Sequence, residues 1–315
     1  MLETRTNAEA PGQPGYDTAG MHTLLAAIAL TLPAPVTATP IGAGNAPCGN
    51  TYAFGSIWVG SLSSDAVYRI DPKRNRPTGH ARVGHNPCGV TAGSGSLWVE
   101  DFGAARIDRV SPKTLKVVAK IPVGRRVWDV LFAAGAVWAT NHDDGNVERI
   151  DPHTNKVVAK IVTGGSPANL AYAFGAVWVG SDSGDTVYRI DPATNAFTSL
   201  EVQGGSAPAS ITADASALWI SNRGNDTVSR YDVASGTVLA TIPVGRGPVI
   251  SGFASDGTLF VPNGDDGTLS RIDPATNAVV DTLKGFRSPL IVRAWLGDLW
   301  VGNNGGTTIV RLHIG

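Results

Sequence analysis

An aromatic residue returns at a nearly fixed interval along this chain: Trp58, Trp98, Trp138, Trp178, Trp219, Phe260 and Trp300, at steps of 40, 40, 40, 41, 41 and 40. Each ring sits in an apolar triplet such as "IWV" or "LWI". A second ladder follows twelve residues behind: Ile70, Val110, Ile150, Ile190, Tyr231, Ile272 and Leu312. Four of these rungs lie in the same "RIDP" tetrapeptide, at 69–72, 149–152, 189–192 and 271–274. Two ladders in phase over seven units define a repeat protein, in which each unit must bury its apolar face against a neighbour.

Within a unit, turn signals separate four strand-sized pieces. The fourth unit reads "ANLAYA" (168–173), "AVWVGS" (176–181), "TVYRID" (186–191) and "AFTSLEV" (196–202), with "FG" and "PATN" among the connections. The second piece is apolar at consecutive positions, as in a strand covered on both faces. Seven four-stranded units with every sheet face covered give an all-β, seven-bladed β-propeller with antiparallel blades. The recurrent tryptophans then form the packing between blades. The last unit ends after its third strand, and "VTATPIG" (36–42) resembles the missing fourth. An N-terminal strand is therefore expected to close the ring and remove the free edge, which favours a monomer.

The expected domains are a disordered extension over 1–34 and the propeller over 35–315. From Met21, and running past the extension to Ala38, "MHTLLAAIALTLPAPVTA" is an apolar core followed by small residues that reads as a secretory signal lacking a clear basic start; cleavage after Ala38 would cut the strand expected at 36–42. An extracytoplasmic or secreted protein is expected. Its longest apolar run, from Leu24 to Leu32, is too short to span a bilayer. With 25 basic against 26 acidic residues the chain has no global footprint for nucleic acid.

The units "VWVGSDSGDTVYRIDPATN" and "GTLSRIDPATNAVVDTL" resemble the YVTN-type propeller repeat. That resemblance covers 36–315 and implies the fold; such propellers serve as binding and scaffold modules as well as enzymes. A more distant similarity, carried by a "P-x-G-I…LWF" unit, is to the streptogramin lyases, which are likewise seven-bladed. That resemblance implies a carbon–oxygen lyase that opens a cyclic peptide-like antibiotic with His and Glu beside magnesium, the His directly following the Pro of a first strand. The matching positions here are Cys48, Cys88, Trp128, Ala168, Ala209, Val249 and Leu290, none of them His, and the matching glutamate is Glu100.

No H-E-x-x-H, G-x-S-x-G, Walker or C-x-x-C motif is present, and the six histidines lack metal-ligand spacing. No resident cofactor is expected; magnesium enters only with the lyase reading. The recurrent Asp-Pro and Arg positions are structural by the same logic that makes them recurrent, because a site needs only one or two copies. Function should instead appear where the repeat is broken on one face. Connections from fourth to first strand and from second to third open on the same face, and most are Gly, Ser, Asn and Asp. Units two and three differ, carrying His85, then Glu100, Asp101 and Phe102, then Arg125, Arg126, Trp128 and Asp129, then His142 and Asp143. An aromatic beside mixed charges suits recognition of a small molecule, peptide or protein, and a zwitterionic or peptide-like ligand best. The leading expectation is a non-enzymatic binding module. The alternative is a lyase improvising with Glu100, His85 and His142. A third reading is a polyanion site using Arg125, Arg126, Arg223, Arg246 and Arg287, which near-neutral charge disfavours. Cys48 and Cys88 share one repeat position and can either bridge adjacent inner strands or remain buried thiols.

Overall fold

The computed structural model describes residues 35–202 and 206–315. The extension over 1–34 lies outside the described residues, and so do the disorder expectation and the signal-sequence expectation as far as Ala34. Seven four-stranded antiparallel sheets follow one another along the chain. Blade 1 is built from Pro47–Ala53, Ser56–Ser61, Ala66–Asp71 and Arg76–Arg82, running from inner to outer strand. Blades 2 to 6 repeat that order over 90–122, 127–162, 167–201, 208–243 and 252–284. Blade 7 takes Pro289–Trp295, Asp298–Asn303 and Thr308–Ile314, and its outermost strand is Val36–Gly42. The register runs antiparallel from Val36 opposite Ile314 to Gly42 opposite Thr308, so the expected closure is present. Among the described residues no helix is long and apolar enough to cross a membrane.

The hairpin between first and second strands explains the recurrent "FG". Phe54 and Gly55 take φ of 52° and 72°, and Phe174 and Gly175 take 51° and 71°. Positive φ at both central residues is the two-residue turn whose twist matches that of the strands.

Between blades the ladder tryptophans are fully buried. Trp98 of blade 2 packs with Val130, Val137 and Ile150 of blade 3, and Trp58 of blade 1 packs with Val90, Leu97 and Val110 of blade 2. The recurrent arginines complete these joints. Arg109 lies 4.7 Å over the Trp98 ring, and Arg149, Arg230 and Arg311 repeat the contact on Trp138, Trp219 and Trp300. The far end of each guanidinium reaches the next blade. Arg109 donates to the Pro152 carbonyl and to Asn155 Oδ1, both at 2.8 Å. Arg149 donates to Asn195, Arg230 to Pro274 and Asn277, and Arg311 to Pro72 and Asn75. The Asn that closes "DP-x-T-N" therefore does two jobs. It adopts positive φ (57° at Asn155) and presents the acceptor that the preceding blade's arginine needs. The Asp of the same motif caps its own turn, as when Asp71 accepts from the Lys73 and Arg74 amides. These bonds hold its carboxyl below the usual range.

Candidate functional site

The inner strands line a central channel, and the positions following the first-strand prolines ring its mouth. Cys48, Cys88, Trp128, Val249 and Leu290 all line a cavity there of about 240 Å³. Its walls also include Leu62, Glu100, Phe102, Asn169 and Arg223. Cys48 and Cys88 are joined in a disulfide with Cα atoms 5.0 Å apart, spanning blades 1 and 2. The bridged cysteines pack with Ile250, Leu290 and Ile291 of blades 6 and 7, giving one side of the cavity an apolar lining. A second, smaller cavity of about 120 Å³ lies against the inner strands and shares Ile291 with the first. Its lining mixes polar Asn50, Thr51, Thr91, Asp129 and Arg293 with apolar Val90, Val130, Leu131, Leu170 and Trp295.

Trp128 is held in a cluster of unlike neighbours. The His142 ring stacks on it at 4.9 Å, Phe102 lies tilted at 6.0 Å, and the Arg126 guanidinium sits 5.1 Å from its centre. Arg126 also covers Phe102 at 5.6 Å and is anchored by Asp143 at 3.5 Å. His142 Nδ1 lies 3.2 Å from the same Asp143. The result is a braced aromatic surface that is half-buried on the cavity wall.

Glu100 replaces a glycine of the repeat. The equivalent Gly60, Gly180 and Gly302 lie against backbone carbonyls of Cys88, Pro208 and Cys48 on the next blade, leaving no space for a Cβ. Beside Glu100 that space exists, and its side chain is only 1% exposed. Oε1 accepts from the Gly89 amide at 2.8 Å, while Oε2 is buried and has no hydrogen-bond partner. Burial, and then the charge of Asp129, push the Glu100 carboxyl well above the usual carboxylate range. Asp129 is raised by burial too, but it accepts the Leu170 amide of blade 4 at 2.8 Å and its own neighbour Val130. Across the channel Arg293 makes no hydrogen bond or ion pair among the described residues. Burial lowers its guanidinium from the ordinary value, and the charge of Asp129 partly offsets that.

A raised acid has a defined effect on stability. Below the unfolded value near 4.5 Glu100 is protonated in both states and costs nothing. As pH rises beyond it, the unfolded chain ionises while the folded chain holds its proton, and stability is lost up to the folded value. Glu100→Gln should therefore raise the melting temperature at pH 8, with the gain shrinking toward pH 4. Melting curves across that range check the sign.

The residues expected from sequence divide into three groups. Glu100, Phe102 and Trp128 come together on the mouth cavity with both cysteines, and Asp129 lies just beneath in the smaller one. Arg126, His142 and Asp143 stand behind the aromatic wall as its supports. His85, Asp101 and Arg125 line neither cavity. His85 is exposed, 3.4 Å from Asp65. Asp101 turns into its own blade and pairs with Arg106 at 2.8 Å. Arg125 pairs with Asp144 as Arg246 pairs with Asp266 three connections later, so it repeats a rim contact rather than breaking one. Glu100, His85 and His142 thus share no cavity. Among the described residues no group of three His, Cys, Asp or Glu side chains is arranged to hold a metal. Arg293 was not singled out from the sequence, yet its signal was there. The residues facing each ladder ring from the inner strand are Thr51, Thr91, Leu131, Ala171, Thr212 and Gly252, and only blade 7 supplies a charge.

No protein-family model matches the chain, and no curated protein matches it. The YVTN-type resemblance accordingly rests on the quoted motifs. Solved structures do match. A streptogramin B lyase superposes with a TM-score of 0.77 at 15% identity, covering 89% of this chain and 98% of that one. A catalytically inactive virginiamycin B lyase from Staphylococcus aureus, solved with quinupristin, gives 0.78 at 15%, over 89% and 100%. Hydrazine synthase from Kuenenia stuttgartiensis gives 0.74 at 14%, over 85% and 96%. At such identity these likenesses define a shared seven-bladed fold.

Proposed function

We propose that this propeller is a binding module that takes up a small molecule, or one side chain of a peptide or protein, at the channel mouth over blades 2 and 3. The observation that carries the reading is the cavity of about 240 Å³ in which Trp128 and Phe102 face the apolar disulfide side and Glu100 offers a buried polar group. Ligand pockets are concave and mostly apolar, with a few placed polar groups. The volume lies at the small end of the usual range of about 300–1,000 Å³, which suits a fragment-sized group. Export fits the disulfide, since such bonds persist in oxidising compartments. Trp128→Ala should weaken binding by roughly 2 kcal/mol or more, about thirtyfold, while the melting temperature changes little. Titration of a metabolite and peptide panel, followed by tryptophan fluorescence and calorimetry, tests this. Ligands that bind Trp128→Ala as well as wild type would sink it.

The alternative is carbon–oxygen lyase chemistry, favoured by the shared fold and by Glu100 at the matching position. Incubation with quinupristin, with and without magnesium, followed by mass spectrometry, separates the two. A ring-opened product would establish the lyase, and intact compound would leave the binding reading.

A further inference from the structure

One inner-strand residue in each blade stands opposite the ladder ring, so these seven share one level of the channel. Four of them, Arg293, Thr51, Thr91 and Leu131, come from the consecutive blades 7, 1, 2 and 3 and line the inner cavity together. Arg293 is the one charge at that level. It is partly exposed to the channel, and among the described residues it makes no hydrogen bond or ion pair. Its five donors are therefore unused, in a place where an unpaired charge is costly.

The other polar groups of the cavity divide into spent and available. Asn50 is spent, since it donates to the Trp300 carbonyl and accepts the Trp295 indole N–H. Asp129 does not reach Arg293 as an ion pair; its two oxygens accept the Val130 and Leu170 amides instead. The Thr51 hydroxyl has no hydrogen-bond partner among the described residues. Thr91 Oγ1 accepts the Phe132 amide at 3.2 Å, which leaves its own proton free to donate. A guanidinium and two hydroxyls thus offer donors around one space. That space, about 120 Å³, is several times the roughly 10–15 Å³ that a single water needs.

We propose that the inner cavity binds a short-chain monocarboxylate, its two oxygens on the Arg293 guanidinium and its alkyl end toward Leu131. This site is separate from the channel mouth and does not rest on the binding reading given there. A guanidinium presents paired N–H groups whose spacing matches the two coplanar oxygens of a carboxylate. Thr51 and Thr91, one and two blades further round, are placed to donate to the remaining lone pairs. Leu131 continues the same level with an apolar side chain, which suits a short alkyl tail better than a second charge. Asp129 sets the limit on ligand charge. A dianion would be balanced only in part by one guanidinium and would be repelled by the Asp129 carboxylate, at a depth where water screens poorly.

The probes are propionate, its neutral isostere propionamide, and sulfate, each titrated into the full chain by calorimetry at matched ionic strength. Propionate should bind at least tenfold more tightly than either of the others. Arg293→Met should abolish propionate binding. Arg293→Lys, which keeps the charge without the fork, should weaken it at least threefold, and Thr51→Val should weaken it about threefold. The comparison of the three probes on wild type needs no variant to fold. Absence of propionate binding, propionamide or sulfate binding as tightly as propionate, or propionate affinity that survives Arg293→Met would each overturn the site.

Discussion

A chain lacking residues 1–42 should lose its ring closure, with a melting temperature lowered by ten degrees or more and a strong tendency to aggregate. Strand Val36–Gly42 makes a seven-residue register with Thr308–Ile314 and buries Ile41 against Ile57, Ile70 and Ile309. Losing a buried Ile alone costs about 2–5 kcal/mol. Removing the whole strand also leaves the outer edge of blade 7 unpaired, a template for strand addition by other chains. Size-exclusion chromatography and thermal melts measure both effects. A truncated protein with the elution volume and melting temperature of the full chain would show that the ring does not depend on this strand.

The second large effect is in the ladder. Trp138→Ala should destabilise the fold by roughly 3–5 kcal/mol. Trp138 is fully buried, packs with Leu170, Val177 and Val179 of blade 4, and donates its indole N–H to the Ala133 carbonyl at 3.1 Å. It also carries the Arg149 guanidinium. Trp128, ten residues earlier, has none of these partners. Denaturant midpoints of the two variants should separate cleanly. If Trp128→Ala were the more damaging to stability, the two rings would have exchanged the roles assigned to them.

Much of the fold was legible because the packing is periodic. A ring every forty residues can be covered only by the neighbouring unit, and the copy of a fourth strand at 36–42 could pair only with the last blade. The site was legible to the extent that it interrupts that period. Trp128 stands where other units have small residues, and Glu100 stands where three units have glycine. What sequence could not convey was the direction of each charged side chain. Asp101 and Glu100 are adjacent, yet one turns to Arg106 inside the blade and the other to the channel mouth. Arg125 looks exceptional until Arg246 is seen making the same contact with Asp266. Attention to loops alone also passed over Arg293, which interrupts the period within an inner strand.

The joints between blades are not alike, and the difference has a mechanical meaning. Blades 1 and 2 are riveted by the disulfide, while arginine clamps hold 2 to 3, 3 to 4, 5 to 6 and 7 to 1. Blades 6 and 7 are tied by backbone bonds from Ile250 to Leu290 and from Val292 to Ile250. Among the described residues the joint between blades 4 and 5 has neither disulfide, arginine clamp nor inner-strand backbone tie. Gly236 stands in blade 5 where the clamp would need an Asn. At that joint the blades meet by side-chain packing, Trp178 against Ile211, Leu218 and Ile220. Trp128, Phe102 and Glu100 stand on blades 2 and 3, within the arc that the disulfide and the arginine clamps cross-link.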